Sequence, residues 1–203
     1  MEKTFYTIAI GSSLGGLQAL NEFFDHLSKK VDAAFVILSH LERGRRSILD
    51  KLLCERTDIP VIRVESDTQL QPGHVYVLIE NTTLIVTEGW LRVQSRDSQV
   101  RNSSVDIFYE SLARDFKGKA IGIILSGGGK DGLNGALAIA ANGGKVLVQD
   151  PETAKAAGMP QAIVDLDHPR YILNPTKLAE LINKWCSQGD FSHPAEQIQE
   201  NKN

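Results

Sequence analysis

The chain has 203 residues, 42% of them hydrophobic and 23% charged, with a net charge of −3. That is enough sequence for one domain with a sizeable core. The weakly acidic balance argues against a general nucleic-acid binder, whose domain is normally basic, and no apolar run is long enough to span a bilayer.

Residues 5–10 are an apolar run that reads as the first strand. The N-terminus leads straight into it without the pattern of a secretory signal. Residues 15–28 follow as an amphipathic helix, with Leu17, Leu20, Phe23, Phe24 and Leu27 at helical spacing. Residues 34–39 read as the second strand, 45–56 as the second helix and 60–65 as a short strand. Pro72-Gly73 marks a turn. The runs 75–79, 83–87 and 90–93, separated by Asn81 and Glu88-Gly89, read as a meander of short antiparallel strands. A polar loop at 96–102 leads to a helix over 105–116. A buried type of strand (120–125), an Ala-rich helix (132–141), a strand (146–149), a short helix (159–164), a strand (171–173) and a helix (175–186) follow. Residues 188–203 are polar and read as a loose tail behind a single domain over 1–187. The alternation predicts an α/β fold: a doubly wound, mainly parallel sheet with helices on both faces, a Rossmann-like three-layer arrangement, plus a short antiparallel meander.

Gly11-Ser12-Ser13-Leu14-Gly15-Gly16 lies between the first strand and the first helix. A serine on such a turn is held away from the sheet, near helix-starting N–H groups that stabilise negative charge. Ser13 is therefore the candidate nucleophile, with Ser12 read as turn chemistry. A nucleophilic serine needs a base, and the base needs an orienting partner. His40 follows the second strand and so falls at the same edge of a parallel sheet, where α/β proteins place their sites. Asp131 lies in Ser126-Gly127-Gly128-Gly129-Lys130-Asp131-Gly132, after the buried strand. It is the candidate orienting carboxylate, and equally a candidate N-cap for the Ala-rich helix. Backbone N–H groups of Leu14 and of the run 127–129, Gly128 included, are candidate oxyanion donors. Met159 is placed on the substrate side, with a packing residue at a helix start as the equal alternative. Arg43, Arg45, Arg46 and Arg56 flank the second helix, either as a solvated face or as a grip for an acidic partner. Cys54 and Cys186 form no CxxC pair and read as reduced thiols. The histidines and cysteines lack metal-ligand spacing, so no metal and no cofactor is expected.

Taken together, the Gly-x-Ser-x-Gly-Gly turn, the strand ending in His40 and the Gly-rich loop carrying Asp131 resemble the catalytic domain of chemotaxis protein-glutamate methylesterases (CheB-type). So do Gly73-His74-Val75-Tyr76-Val77, Ser104-Val105-Asp106, Val148-Gln149-Asp150-Pro151 and Gly158-Met159-Pro160. The resemblance runs from about Phe5 to Trp185. It implies a cytoplasmic serine hydrolase that removes methyl groups from glutamate γ-methyl esters on receptor helices, releasing methanol, with receptor glutamines deamidated by some members. It also implies a Ser, His, Asp triad falling on Ser13, His40 and Asp131. Leu14 stands where many members have Thr, Gly128 where many have Met, and Leu41-Glu42-Arg43 where many have Met-Pro-Pro. Typical members carry an N-terminal receiver domain. This chain begins just before the first strand, so the expectation is a stand-alone esterase, open or regulated in trans by a receiver protein, or a chain whose upstream part is missing. Two other readings stay open: a silent module that binds receptors or signalling partners, and a nucleotide-binding domain built on Gly11 and Gly16. Against the second, Ser13 would crowd a pyrophosphate and the second strand ends in Ser39-His40 rather than an acidic residue.

Overall fold

In the computed structural model the described residues are 4–41, 44–96, 103–166 and 169–189. In chain order they form β1 (Tyr6–Ser12), α1 (Gly16–Asp25), β2 (Ala33–Ser39), α2 (Leu49–Cys54), β3 (Val61–Arg63), β4 (Thr68–Gln69), β5 (His74–Val77), β6 (Thr82–Thr87) and β7 (Trp90–Ser95). Next come α3 (Ser104–Phe116), β8 (Ala120–Ile124), α4 (Leu133–Ala141), β9 (Lys145–Gln149), α5 (Gly158–Leu166), β10 (Tyr171–Leu173) and α6 (Pro175–Gln188).

Seven strands make one sheet in the order β10-β9-β8-β1-β2-β5-β3, with every neighbouring pair parallel. The strands are apolar on both sides because helices cover both faces. On one face Ile8, Ile10, Phe35, Ile37, Ile121 and Ile123 pack under α1, α2 and α6, with Trp185 buried among them. On the other, Ala9, Val36, Leu38, Ile124 and Val148 pack under α3, α4 and α5. Successive residues of one strand thus serve opposite cores. The α6 helix starts on Asn174, whose side chain accepts the Lys177 N–H at 2.9 Å, with Pro175 at the first helical position.

The chain grows outward from β1 in both directions, towards β2, β5 and β3 on one side and β8, β9 and β10 on the other. Strand order therefore reverses at the β1/β8 boundary, and the loops leaving the carboxyl ends there face an open crevice.

Two expectations change. The run 75–79 is not part of the meander: β5 pairs in parallel between β2 and β3. The antiparallel sheet is instead β4-β7-β6, completed by the two-residue strand β4, which has no apolar pattern of its own. The second helix is also shorter than 45–56. Residues 44–48 are held out of helical form by side-chain anchors described below. Most of the polar loop, 97–102, and of the tail, 190–203, lies outside the described residues.

Candidate active site

β1 delivers Ser13 to the carboxyl edge of the sheet, and the turn is held from several sides. The Ser13 N–H donates to the Ser126 carbonyl at 2.9 Å, and the Gly16 N–H donates to the Ser13 carbonyl at 2.9 Å. Gly15, at φ +78°, caps α1 in a conformation that side chains resist. Gly16 is required by space, since a Cβ there would lie 2.6 Å from that of Ser12.

The parallel register sets Ser12 opposite Ser39, so Ser13 and His40 are adjacent chain exits. The His40 N–H reaches the Ser12 carbonyl at 3.3 Å. On its other side the His40 ring meets Asp131, with Nε2 and Oδ2 2.6 Å apart. The Asp131 side chain is only 7% exposed, against 21% for His40. A buried carboxylate needs donors, and the first turn of α3 supplies them. The Val105 N–H donates to Oδ2 at 3.1 Å and the Asp106 N–H to Oδ1 at 3.0 Å. The Asp131 carboxylate thus accepts a hydrogen bond from the Nε2–H of His40, which leaves Nδ1 as the basic nitrogen. Among the described residues no hydrogen bond joins Ser13 to His40; in substrate-free sites such bonds are often long and tighten only when substrate is bound.

Asp131 does not cap the helix that follows it, as the sequence allowed. It caps α3, and α4 is capped by Asp106, whose Oδ1 accepts the Gly132 N–H at 2.9 Å and the Gly135 N–H at 2.8 Å. The two aspartates exchange helix N-termini, each carboxylate meeting the positive end of the other's helix. Burial pushes the Asp106 carboxyl up, and the charges of Asp131 and Glu110 add to this, against the pull of the two glycine N–H groups. Sequence reasoning met Asp106 only within a motif of the resemblance; its partner glycines lie 26 and 29 positions away.

A cavity of about 540 Å³ opens here, lined by His40, Ser103, Asp106, Gly128, Gly129, Lys130, Asp131 and Asn134. The Gly-rich loop forms one wall. Gly128 is exposed, and a Cβ on it would meet nothing within 4 Å. Among the described residues the N–H groups of Leu14 and Gly128 have no partner, whereas that of Gly127 is taken by the Ala156 carbonyl at 2.9 Å. Of the expected oxyanion donors, then, Gly127 is unavailable. Leu14 is 65% exposed beside the nucleophile position.

Met159 is fully buried and absent from the cavity wall, which corrects its placement on the substrate side. It packs into the α4–α5 core and against Gly127, whose missing side chain leaves the space it fills. Its influence on Ser13 passes through that glycine.

Of the arginines, Arg56 lies at the far end of α2, 3.6 Å from Asp25 at the end of α1, and is remote from His40. Arg45 and Arg46 sit exposed on the loop 44–48; Arg43 is outside the described residues. That loop is fastened by Arg63, which donates to the Ser47 carbonyl at 3.0 Å and to both Glu80 oxygens at 2.7 and 2.8 Å. Glu80 also accepts the Ser47 N–H at 3.1 Å. Burial works to raise the Glu80 carboxyl, but Arg63 and the backbone donors hold it at about 2. Sequence reasoning did not find this anchor. Among the described residues no group of three or more His, Cys, Asp or Glu could hold a metal ion, and no helix is long and apolar enough to cross a membrane.

A family model described as CheB methylesterase matches residues 8–182. A Leptospira interrogans protein of the protein-glutamate methylesterase/protein-glutamine glutaminase type is 32% identical over 185 residues, covering 87% of this chain and 93% of that protein. The protein-glutamate methylesterase/protein-glutamine glutaminase of Thermotoga maritima is 30% identical over 86% of this chain, which spans 54% of it. The crystal structure of the Thermotoga maritima CheB methylesterase catalytic domain superposes with a TM-score of 0.81 at 28% identity, covering 90% of this chain and 99% of that one. Sequence and fold agree over nearly the same span, and the chain belongs to the CheB methylesterase family.

Proposed function

We propose that this protein is a serine hydrolase that demethylates glutamate γ-methyl esters on chemotaxis receptors and releases methanol, with Ser13, His40 and Asp131 as its triad. The observation that carries the reading is the 2.6 Å contact of His40 with a buried Asp131 beside the turn that presents Ser13. His40 Nδ1 removes the Ser13 Oγ proton as that oxygen attacks the ester carbonyl carbon. Asp131 fixes the ring orientation and stabilises the imidazolium through Nε2–H. The oxyanion is met by the Leu14 and Gly128 N–H groups, aided by the positive end of α1; one such donor is worth about 10²–10³ in rate. The imidazolium then protonates the leaving methoxide oxygen. Water, deprotonated by the same nitrogen, attacks the acyl carbon; the C–Oγ bond breaks, the free glutamate leaves, and the imidazolium returns the proton to Ser13 Oγ. The same steps with ammonia leaving would deamidate a glutamine. Exposed Leu14, next to Ser13, and the arginines of loop 44–48, which follows His40 in the chain, suit a receptor helix with apolar and acidic faces. Such a substrate implies a cytoplasmic location, and a receiver protein acting in trans would regulate the enzyme by covering this crevice.

The test is methanol release from a receptor fragment methylated at its glutamates, with wild type and Ser13→Ala side by side. Release by the wild type alone supports the reading. Equal release by both removes Ser13 from the mechanism. No release by either folded protein favours a silent binding module.

A further inference from the structure

Ser126, the second residue past β8, is 1% exposed, and its groups are spent on the turn that carries Ser13 and on the loop after β9. Its carbonyl accepts the Ser13 N–H at 2.9 Å. Its Oγ donates to the Leu14 carbonyl at 2.8 Å, with the Ala156 carbonyl more distant at 3.4 Å, and accepts the Ala156 N–H at 3.0 Å. Its own N–H donates to Gln149 Oε1 at 2.8 Å. Gln149, at the end of β9, is likewise 1% exposed, and its Nε2 is 3.2 Å from both the carbonyl and the Oγ1 of Thr153. One relay of hydrogen bonds thus runs from the β9 loop through two buried polar side chains to the turn that carries Ser13.

The relay acts on particular peptides. The Ser12–Ser13 peptide is gripped by the Ser126 carbonyl on its N–H and by the His40 N–H on its C=O. The Ser13–Leu14 peptide is gripped by the Gly16 N–H. Among the described residues, only the Ser126 hydroxyl holds the carbonyl of the Leu14–Gly15 peptide. Without it, rotation about Leu14 would release both the direction of the Leu14 N–H and the position of Ser13 Oγ. Buried networks of this kind are rigid when every member is satisfied, and all the polar atoms of Ser126 are.

We infer that Ser126, oriented by Gln149, is a positioning residue that pre-organises the nucleophile turn, its hydroxyl holding the Leu14–Gly15 peptide so that Ser13 Oγ and the Leu14 N–H act together. This rests on the proposed role of Ser13, and the experiment separates the two. Full-length wild type, Ser126→Ala, Ser126→Thr and Gln149→Met are compared by kcat and KM for methanol release. The rate at which a fluorophosphonate labels Ser13 is measured in parallel; it needs no receptor substrate. A displacement of about 1 Å in a reacting group costs about 10²-fold. Ser126→Ala is therefore expected to lower kcat and the labelling rate by about 10- to 100-fold with KM within about twofold, and Ser126→Thr to restore most of both. If the threonine variant does not fold, Gln149→Met decides, and must lower the labelling rate without changing KM. Labelling of Ser126→Ala at the wild-type rate would overturn the inference, as would a loss that a folded Ser126→Thr does not reverse. If the wild type is labelled at Ser13 but releases no methanol, the receptor substrate is wrong and the labelling series still decides on Ser126. A wild type that is not labelled at Ser13 overturns both.

Discussion

Gly127→Ala is the sharpest perturbation the site offers. A Cβ on Gly127 would lie 3.0 Å from Met159 Cγ and 3.1 Å from Ser13 Cβ, and would press directly on Met159 Sδ. Met159 is fully buried and cannot swing into solvent. Nor can the glycine retreat, because its N–H is bound to Ala156 and its carbonyl to the Met159 N–H at 2.8 Å. Its φ is not positive, so the cost is crowding rather than backbone strain. Overpacking of this kind costs about 1–3 kcal/mol. At about 2–4 °C per kcal/mol for a chain of this size, Tm should fall by several degrees. The catalytic effect should be larger in proportion, because the contact at 3.1 Å falls on Ser13, the proposed nucleophile, and a shift of about 1 Å costs about 10²-fold. The assay pairs calorimetry with the rate of fluorophosphonate labelling at Ser13. Gly128→Ala, one residue on, adds a methyl group to open space, so its Tm should remain within about 1–2 °C of wild type. Equal Tm values for the two variants, with Gly127→Ala labelled at the wild-type rate, would refute the packing reasoning.

Asp131→Asn turns an amide towards the donors on α3 and leaves His40 without its orienting acceptor, so kcat for methanol release should fall by about 10⁴-fold. Asp106→Asn keeps an oxygen for the Gly132 and Gly135 N–H groups while removing a charge that burial disfavours; Tm at neutral pH should be unchanged or higher, and a fall of more than about 5 °C would contradict this. Arg63 and the backbone donors hold the Glu80 carboxyl at about 2 in the folded state, against its ordinary 4.5. The unfolded state therefore binds more protons between those values, and this group's stabilisation is lost as pH falls through that window. Urea unfolding of Glu80→Gln should accordingly show a shallower dependence of stability on pH between about 2 and 4.5, and an unchanged slope would remove the Arg63–Glu80 pair from the account. Trp185→Ala empties the core under α6 and should cost about 3–5 kcal/mol in the same measurement.

Local chemistry was legible in the sequence and long-range pairing was not. Ser13 was singled out because an apolar run, a Gly-rich turn and an amphipathic helix adjoin within about twenty residues. His40 and Asp131 followed from one inference, that both end strands of a parallel sheet. The run 75–79 was misplaced because a short strand after Pro72-Gly73 carries no mark of whether it pairs with its sequence neighbour or, as here, with β2 some forty residues earlier. Met159 was left between two readings because an apolar residue after a glycine looks the same at a groove and beneath one; its complete burial favours the packing reading. Gln149 offered a usable sign, a polar residue closing a buried strand, which calls for a partner. That partner, Ser126, lies 23 positions away.

The reciprocal capping of α3 and α4 explains how this site keeps a carboxylate dry and in place. A buried Asp131 without donors would be expelled or protonated. Two N–H groups of α3 and the His40 ring supply those donors, but only while α3 stays docked. The return bonds from Gly132 and Gly135 to Asp106 tie α4, which begins just after Asp131, to that same helix turn. Neither helix can shift without breaking the cap of the other, so the carboxylate that orients His40 is located by four backbone bonds rather than by its own loop. The Gly-rich loop between β8 and α4 is thereby relieved of holding the acid. It is free to be built of glycines, with the Gly128 N–H open to the crevice and Gly127 close enough to Met159 and Ser13 to couple the core to the nucleophile.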